Sequence, residues 1–432
     1  MSESKKTASA LQPLGSLVNV DPESLPLGTA PGYRFRYIDI ASATNGKLLL
    51  PDDTIEYRDA PSRARRVVRN GDVLMSTVRP NLKAFAYCRL PPEDFVASTG
   101  FAVLRAKEGT DPQFVLYSIL SDDVTKQIER YVVGSNYPAI NSSDVKRLLI
   151  RQLSSAHQKH IAEILSTVDE AIEQTEALIA KTQQIKVGLM HDLFTRGITP
   201  DGQLRPPREE APHLYKESPL GWIPKEWEAL QLGTMSEIVS GVTLNGTSSR
   251  GGIEVPYLRV ANVQDGYLDL KDVKTIWVDA SQLSKLALRR GDVLMNEGGD
   301  FDKLGRGTVW NEEIVLCIHQ NHVFRVRPRI ELLRSQFLAY WSQSEFGKKY
   351  FVLSSKQSTN LASINSTQLH QFLIGRPSSL EQETIEMRLI SADSQLDALQ
   401  DELEKLRRLR TGLMHDLLTG RVRMKVSEPA SA

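Results

Sequence analysis

The strongest constraint on this chain is that its sequence repeats itself once, in order. Gly71-Asp-Val-Leu-Met75 recurs as Gly291-Asp-Val-Leu-Met295, an offset of 220. Tyr37-Ile-Asp-Ile-Ala41 is echoed by Tyr257-Leu-Arg-Val-Ala261 at the same offset. Gln113-Phe-Val115 returns as Gln336-Phe-Leu338 at 223, and Ile140-Asn-Ser142 as Ile364-Asn-Ser366 at 224. Gly188-Leu-Met-His-Asp-Leu193 returns as Gly412-Leu-Met-His-Asp-Leu417, again at 224. A drift of only four residues fits small insertions in surface loops. Solenoid repeats run ~20–50 residues, so this period is instead a domain and its tail, duplicated once.

The first part of each half reads as mixed α/β. Tyr33 to Ile40 alternates like a half-buried strand. Asn70-Gly71-Asp72 is a turn signal, and Val73-Leu74-Met75 opens the next strand. Ala84–Arg89 and Phe101–Arg105 read as further strands, while Gln113–Leu120 and Leu332–Trp341 read as helices. The second part is a long helix. Ile161, Leu165, Val168, Ile172, Thr175, Ile179, Thr182, Lys186, Leu189 and Leu193 step by four and three, the a/d spacing of a coiled coil. Adding 224 gives Ile385, Leu389, Ala392, Leu396, Leu399, Leu403, Leu406, Arg410, Leu413 and Leu417. Only Thr175, Thr182 and the matched Lys186 and Arg410 break the apolar seam. A solitary helix needs no such stripe, so the two are expected to pack on each other.

The expected fold class is therefore α/β (α+β), with two tandem α/β domains, two long antiparallel coiled-coil helices and a pseudo-two-fold internal repeat. The expected boundaries are a first domain at 1–153, a first helix at 154–196 and a linker at 197–217. A second domain follows at 218–377, a second helix at 378–420 and a polar tail at 421–432. Gly197 is a good helix stop, and the Pro-rich run after Thr199 suggests the linker. A helix of about forty residues is ~60 Å long. Two like globules on an antiparallel pair would share an approximate two-fold axis, as symmetric DNA readers do. Divergent globules would then read different half-sites, within a footprint of about 18 base pairs.

Lys and Arg together equal Asp and Glu, 53 each, for zero net charge. Tight DNA binding by the chain alone is disfavoured by that balance, since phosphate neutralisation dominates such affinity. Binding inside a larger assembly remains open. No apolar run reaches ~18 residues, so no membrane span is expected. The start lacks the apolar core of a signal peptide. Cys88 and Cys317 make no disulfide framework, which suggests a reduced, cytoplasmic protein.

The two-copy layout resembles the DNA-specificity subunits of type I restriction-modification enzymes. So do Ser76-Thr-Val-Arg-Pro80 after the Gly-Asp-Val-Leu-Met motif, and Ser218-Pro-Leu-Gly-Trp-Ile-Pro224 with Trp227 opening the second domain. The closing run Gly412 to Arg421 belongs to the same pattern. The resemblance covers nearly the whole chain, although the first domain opens with Leu14-Gly-Ser-Leu17 and lacks the Trp222…Trp227 feature. It implies two target-recognition domains, each reading half of a bipartite double-stranded DNA site, with the helices as ruler. It implies two methyltransferase (modification) subunits and restriction/translocase subunits as partners. It also implies N6-methyladenine as the partner's product, and that AdoMet, ATP and Mg belong to those partners, this chain needing no cofactor.

Catalysis by this chain is not expected. An amino-methyltransferase needs an Asn/Asp-Pro-Pro-aromatic loop, and the Pro pairs here, Leu90-Pro-Pro-Glu93 and Arg205-Pro-Pro-Arg208, do not fit. No Gly-x-x-x-x-Gly-Lys-Ser/Thr loop offers an ATP site. Asp52, Asp53 and Glu56 read as a solvated loop. Cys317, His319 and His322 are too few for structural zinc and read as packing residues on a strand. His191 and His415 hold matched places near the helix ends and read as dipole, packing or partner contacts.

For DNA contacts, Arg and Lys suit phosphates, and Arg, Asn and Gln suit base edges. The candidates in the first half are Arg63, Arg65, Arg66, Arg79, Lys83, Asn136 and Tyr137. In the second they are Asn245, Arg250, Lys303, Arg306, Lys356 and Gln357. The Arg63–Arg69 run reads equally as a solvated face, and Arg79 equally as a buried ion-pair member. Asn141 and Asn365 precede helical stretches and suit caps. The competing reading of the whole chain is a coiled-coil scaffold without DNA readout. It leaves two dissimilar heads of one type without a purpose.

Overall fold

The computed structural model describes residues 10–133, 138–243, 252–299, 304–305, 307–357 and 362–422. The chain divides into two compact units, residues 1–177 with 400–432, and residues 178–399. Both divisions fall inside the long helices, α1 (Ser155–Thr195) and α2 (Ser379–Thr419), so each helix gives one part to each unit.

In the first unit an antiparallel sheet runs in the order Val18–Val20, Phe101–Ala106, Val73–Ser76, Phe85–Tyr87. Val73–Ser76 is buried along its whole length, which is why its residues do not alternate. A second sheet pairs Arg34–Ile38 with Phe95–Ser98 in parallel, flanked by Ile55–Glu56 and Ala64–Val68. Pro112–Leu120, a helix capped by Asp111, packs on the first sheet. The second unit repeats the plan. Its antiparallel sheet runs Ser236–Ser240, Val323–Pro328, Val293–Asn296, Gly307–Val309, and Ile253–Leu258 pairs in parallel with Ile318–His319. The outer edges diverge. Lys274–Val278 stands where Ile55–Glu56 stood, and among the described residues nothing matches the strand Ala64–Val68.

The repeated Gly-Asp motif is a structural fork. Gly71 and Gly291 both take φ +89°, a conformation that costs a glycine nothing. The next residue, Asp72 or Asp292, is almost fully buried. Asp72 accepts from Arg105 at 2.9 and 2.8 Å and from the Arg69 backbone N–H at 2.8 Å. Asp292 accepts from Arg327 at 2.7 and 2.8 Å and from the Arg289 N–H at 2.7 Å. Each fork pins the turn to the neighbouring strand. Asn141 and Asn365 likewise cap the short helices Ser142–Arg147 and Ser366–His370 through capping boxes.

The segment 197–217, expected as a linker, is packed into the second unit instead. Ile198 bridges Leu204, and Tyr215–Ser218 pairs with Gly221–Pro224 as a hairpin. Arg205, 5% exposed, forks onto Glu381 at 2.6 and 3.2 Å, and Glu381 also accepts from the Ile198 N–H at 2.7 Å. A Pro-rich, polar composition cannot reveal a buried ion pair formed with a residue 176 positions away. Trp227 follows this hairpin and is fully buried.

Within the first unit, the parts of α1 and α2 run antiparallel. Asp169 meets Arg410 at 2.5 Å and Glu176 meets Arg407 at 2.8 Å. Within the second unit they also run antiparallel, with Lys186 on Asp393 and Ile198 at Glu381. Every seam residue is buried or half-buried.

Replacing Asp292 by Asn leaves Arg327 without its counter-charge, a loss of about 3–5 kcal/mol for a buried pair. All five tryptophans lie in the second half, so fluorescence-detected urea unfolding follows that unit. D292N is expected to lower its midpoint sharply; a change below about 1 kcal/mol would rule out the fork as a major support.

Candidate nucleic-acid interface

The densest basic run does not form a free cationic patch. Arg66 pairs with Asp21 at 3.1 Å, and Arg69 pairs with Glu23 at 2.7 Å. Hydrogen bonding from Arg69 holds the Glu23 carboxyl below its usual range, against a partial desolvation. Arg65 donates to the Tyr57 hydroxyl and lies 5.1 Å from that ring's centre. Arg63 is exposed, and among the described residues no carboxylate lies within ion-pair distance of it. Of the run, Arg63 is the side chain best placed for a phosphate. Lys83, expected at the DNA, faces inward. Its ammonium donates to the Leu120 carbonyl at 2.9 Å and sits 3.7 Å from Asp122, because φ +49° at Lys83 closes the turn Pro80–Leu82 over that helix end.

One small β element draws several candidates together, and it is built in both units. In the first, Val78 bridges Ala139, which bridges Val133, and the Arg79 N–H donates to Pro138 at 2.7 Å. In the second, Gly298–Gly299 pairs with Ala362–Ser363, which pairs with Lys356–Gln357. The same anchoring bond recurs, from Ile140 N–H to Thr77 at 2.9 Å and from Ile364 N–H to Glu297 at 2.8 Å. Arg79 thus follows the counterpart of Gly298, and the strand carrying Lys356 and Gln357 is the counterpart of Val133, so these candidates fall on different strands of one element. Asn136, Tyr137, Asn245, Arg250, Lys303 and Arg306 lie outside the described residues.

The element's side chains differ between the units. Thr77 donates its N–H to Gly100 at 2.8 Å, and in the matching place Glu297 donates its N–H to His322 at 3.0 Å. Glu297 and His322 add a side-chain bond of 2.6 Å, with the imidazole 56% exposed. This polar pair was missed in the sequence. The signal was available two residues past the Gly-Asp-Val-Leu-Met motif, where Thr77 faces Glu297 in an alignment of the halves.

Cys317, His319 and His322 do not converge. Cys317 is buried in an apolar cluster, and burial pushes its thiol up to about 12. His319 is fully buried with Nδ1 2.6 Å from the Val323 carbonyl, whereas His322 is exposed on Glu297. His191 lies 3.5 Å from Glu345, and His415 bonds Arg421 at 2.8 Å. Asp52 and Asp53 sit in a loop fastened through the Arg36 guanidinium, which donates to Pro51 at 2.6 Å. Among the described residues no helix is long and apolar enough to cross a membrane.

A sequence profile for the type I restriction modification DNA specificity domain matches this chain twice, over residues 32–184 and 224–408. The type I restriction enzyme MjaVIII specificity subunit of Methanocaldococcus jannaschii is 25% identical over 343 residues, 78% of this chain and 76% of that protein. The MjaX specificity subunit of the same organism, described as a possible one, is 23% identical over 206 residues; the match spans about half of each, 48%. Among solved structures, a chain from work on complex assembly and conformational transition of the type I R-M system matches with TM-score 0.58 and 25% identity. That match covers 96% of this chain and 99% of the other.

Burial takes the His319 imidazole from an ordinary 6.5 down to about 4. The unfolded chain therefore binds a proton that the folded chain refuses. Stability is complete above 6.5 and is lost as pH falls towards about 4. Tryptophan-detected unfolding should weaken across that window, and His319→Asn, which keeps a donor for Val323 but cannot titrate there, should flatten the dependence. A variant with the wild-type slope would assign the acid sensitivity elsewhere.

Proposed function

This chain belongs to the family of type I restriction-modification DNA specificity subunits, and from that membership we propose that it reads a bipartite, asymmetric double-stranded DNA site without doing chemistry itself. Each globular part reads one half-site. The observation that carries the reading is the β element present in both units on identical anchoring bonds, with Thr77 and Gly100 in one and Glu297 and His322 in the other. A common frame whose side chains differ, a buried Thr77 in one unit and a half-buried Glu297 with an exposed His322 in the other, is what two readers of unlike sequences require.

The α1–α2 pair sets the separation of the half-sites, each helix being ~60 Å long at 1.5 Å per residue. Two methyltransferase subunits and restriction/translocase subunits assemble on this chain in the cytoplasm. AdoMet, ATP and Mg are used by those partners. A Glu carboxylate accepts from a cytosine amino group, and an imidazole N–H donates to a guanine or adenine acceptor, so the Glu297–His322 pair suits a base edge. Internal pairing of Arg66 and Arg69 weakens the Arg63–Arg69 run as a cationic patch, which fits an affinity shared with partner subunits.

Co-expression with the cognate modification subunit, followed by mapping of methylated adenines on genomic DNA, tests the reading. A two-part motif that disappears when this chain is omitted is the expected result. Complex formation with no motif would favour a scaffold. Within an active complex, Arg63→Ala should weaken binding to all sequences alike and lower the salt slope by about 1, leaving the motif unchanged. A changed motif would make Arg63 a base reader.

A further inference from the structure

The first unit contains a groove of about 600 Å³ at a place that the second unit fills with its own aromatic rings. The helices Pro112–Leu120 and Ser335–Gln343 are equivalent. Each is followed by a helix capped by a serine, Ser121 or Ser344, which fixes the register at 223. In the second unit Trp341 stacks on Phe346 at 5.0 Å and meets Phe194 edge-on at 5.2 Å. Phe194 and Trp341 are fully buried. The register puts Ser118 in the place of Trp341 and Asp123 in the place of Phe346. The helix offset of 224 puts Leu418 in the place of Phe194. All three line the groove, with Leu11, Arg151 and Met414.

Three ring positions replaced by a hydroxymethyl, a carboxylate and an isobutyl group leave a space of aromatic size. Its apolar walls, Leu11, Met414 and Leu418, suit the faces of a ring, and guanidinium groups suit its π cloud. Neither terminal segment outside the described residues, 1–9 or 423–432, contains a Phe, Tyr or Trp. Neither of those two segments can therefore supply the ring.

We propose that the groove is a docking site for an aromatic side chain carried by a partner polypeptide, standing in for the ring that the second unit supplies itself. The proposal rests on the reading of this chain as a subunit of a complex. Its consequence is that the two halves, alike in plan, offer a partner unequal surfaces: one closed by Trp341 and one open.

The test uses the full-length chain with 3-methylindole, the tryptophan side chain without its backbone, followed by calorimetry. One molecule is expected to bind. Ser118→Trp and, as a milder filling variant, Leu418→Phe should each weaken binding by roughly tenfold or more. Failure of 3-methylindole to bind, or equal binding to both folded variants, overturns the groove as an aromatic site. The same variants are then assayed for association with the modification subunit. A loss of roughly tenfold is expected, in the range of an aromatic interface anchor. Unchanged association with both variants overturns the partner as the source of the ring. Methylation mapping of the wild-type complex separates the two readings, since a missing motif alongside normal 3-methylindole binding removes the DNA-reading function and leaves the groove.

Discussion

The arrangement of each unit depends on one polar contact made by a buried tyrosine with a half-buried aspartate and cation. In the first unit the Tyr117 hydroxyl donates to Asp169 at 2.9 Å, and Asp169 also accepts from Arg410 at 2.5 Å. In the second the Tyr340 hydroxyl donates to Asp393 at 2.6 Å, and Lys186 pairs with the same carboxylate. Burial pushes both phenols far above their ordinary range, so each keeps its proton and remains a donor. The tyrosine comes from the globular part, the aspartate from the helix that follows it, and the cation from the other helix. One carboxylate therefore fixes a globule on its helix and the register of the helix pair together. Such charge-assisted bonds are worth roughly 1.5–3 kcal/mol each, and a shift of the pair by one turn forfeits both. The matched Lys186 and Arg410, which break an otherwise apolar seam, are explained by this contact.

Around that frame the chain separates what must be shared from what is free to differ. The shared parts are the Asp72–Arg105 and Asp292–Arg327 forks, the Asn141 and Asn365 caps and the aspartates at the seam. The forks satisfy the buried carboxylates of Asp72 and Asp292, whose loss is costly, and the caps satisfy helix-end N–H groups. The differing parts are exposed or at sheet edges. They include Glu297 with His322, the strand Ala64–Val68 and the outer strand Lys274–Val278. A duplicated reader needs this partition, because a residue that holds the frame cannot be changed to suit a new base.

The sequence was most legible where a local rule applied. The strands Val73–Ser76 and Phe101–Ala106 follow from short apolar runs, the first behind a turn signal, and the helices α1 and α2 from apolar periodicity. Asn141 and Asn365 were readable as caps because a cap bonds to a neighbour three residues away. Basic residues were less legible. Arg63, Arg65, Arg66 and Arg69 look alike in the sequence, yet Tyr57, Asp21 and Glu23, which engage the last three, sit on separate segments. Lys83 is turned inward by a left-handed backbone that its own residue type does not favour. Charge along a chain records what a residue can do, and only its neighbours in space decide whether that capacity is already used.

By itself the sequence determined that there are two copies of one unit, that each joins an α/β part to a long helix, and that the helices share a seam. These are matters of order and period, which a linear string carries in full. Tertiary structure alone decided that Arg205 is buried on Glu381, that Glu297 meets His322, and that Trp341 closes a space which Ser118 leaves open. Each of these joins residues tens to hundreds of positions apart, or compares volumes across a fold. Their energies depend on distance and burial, and those quantities exist only once the chain has folded.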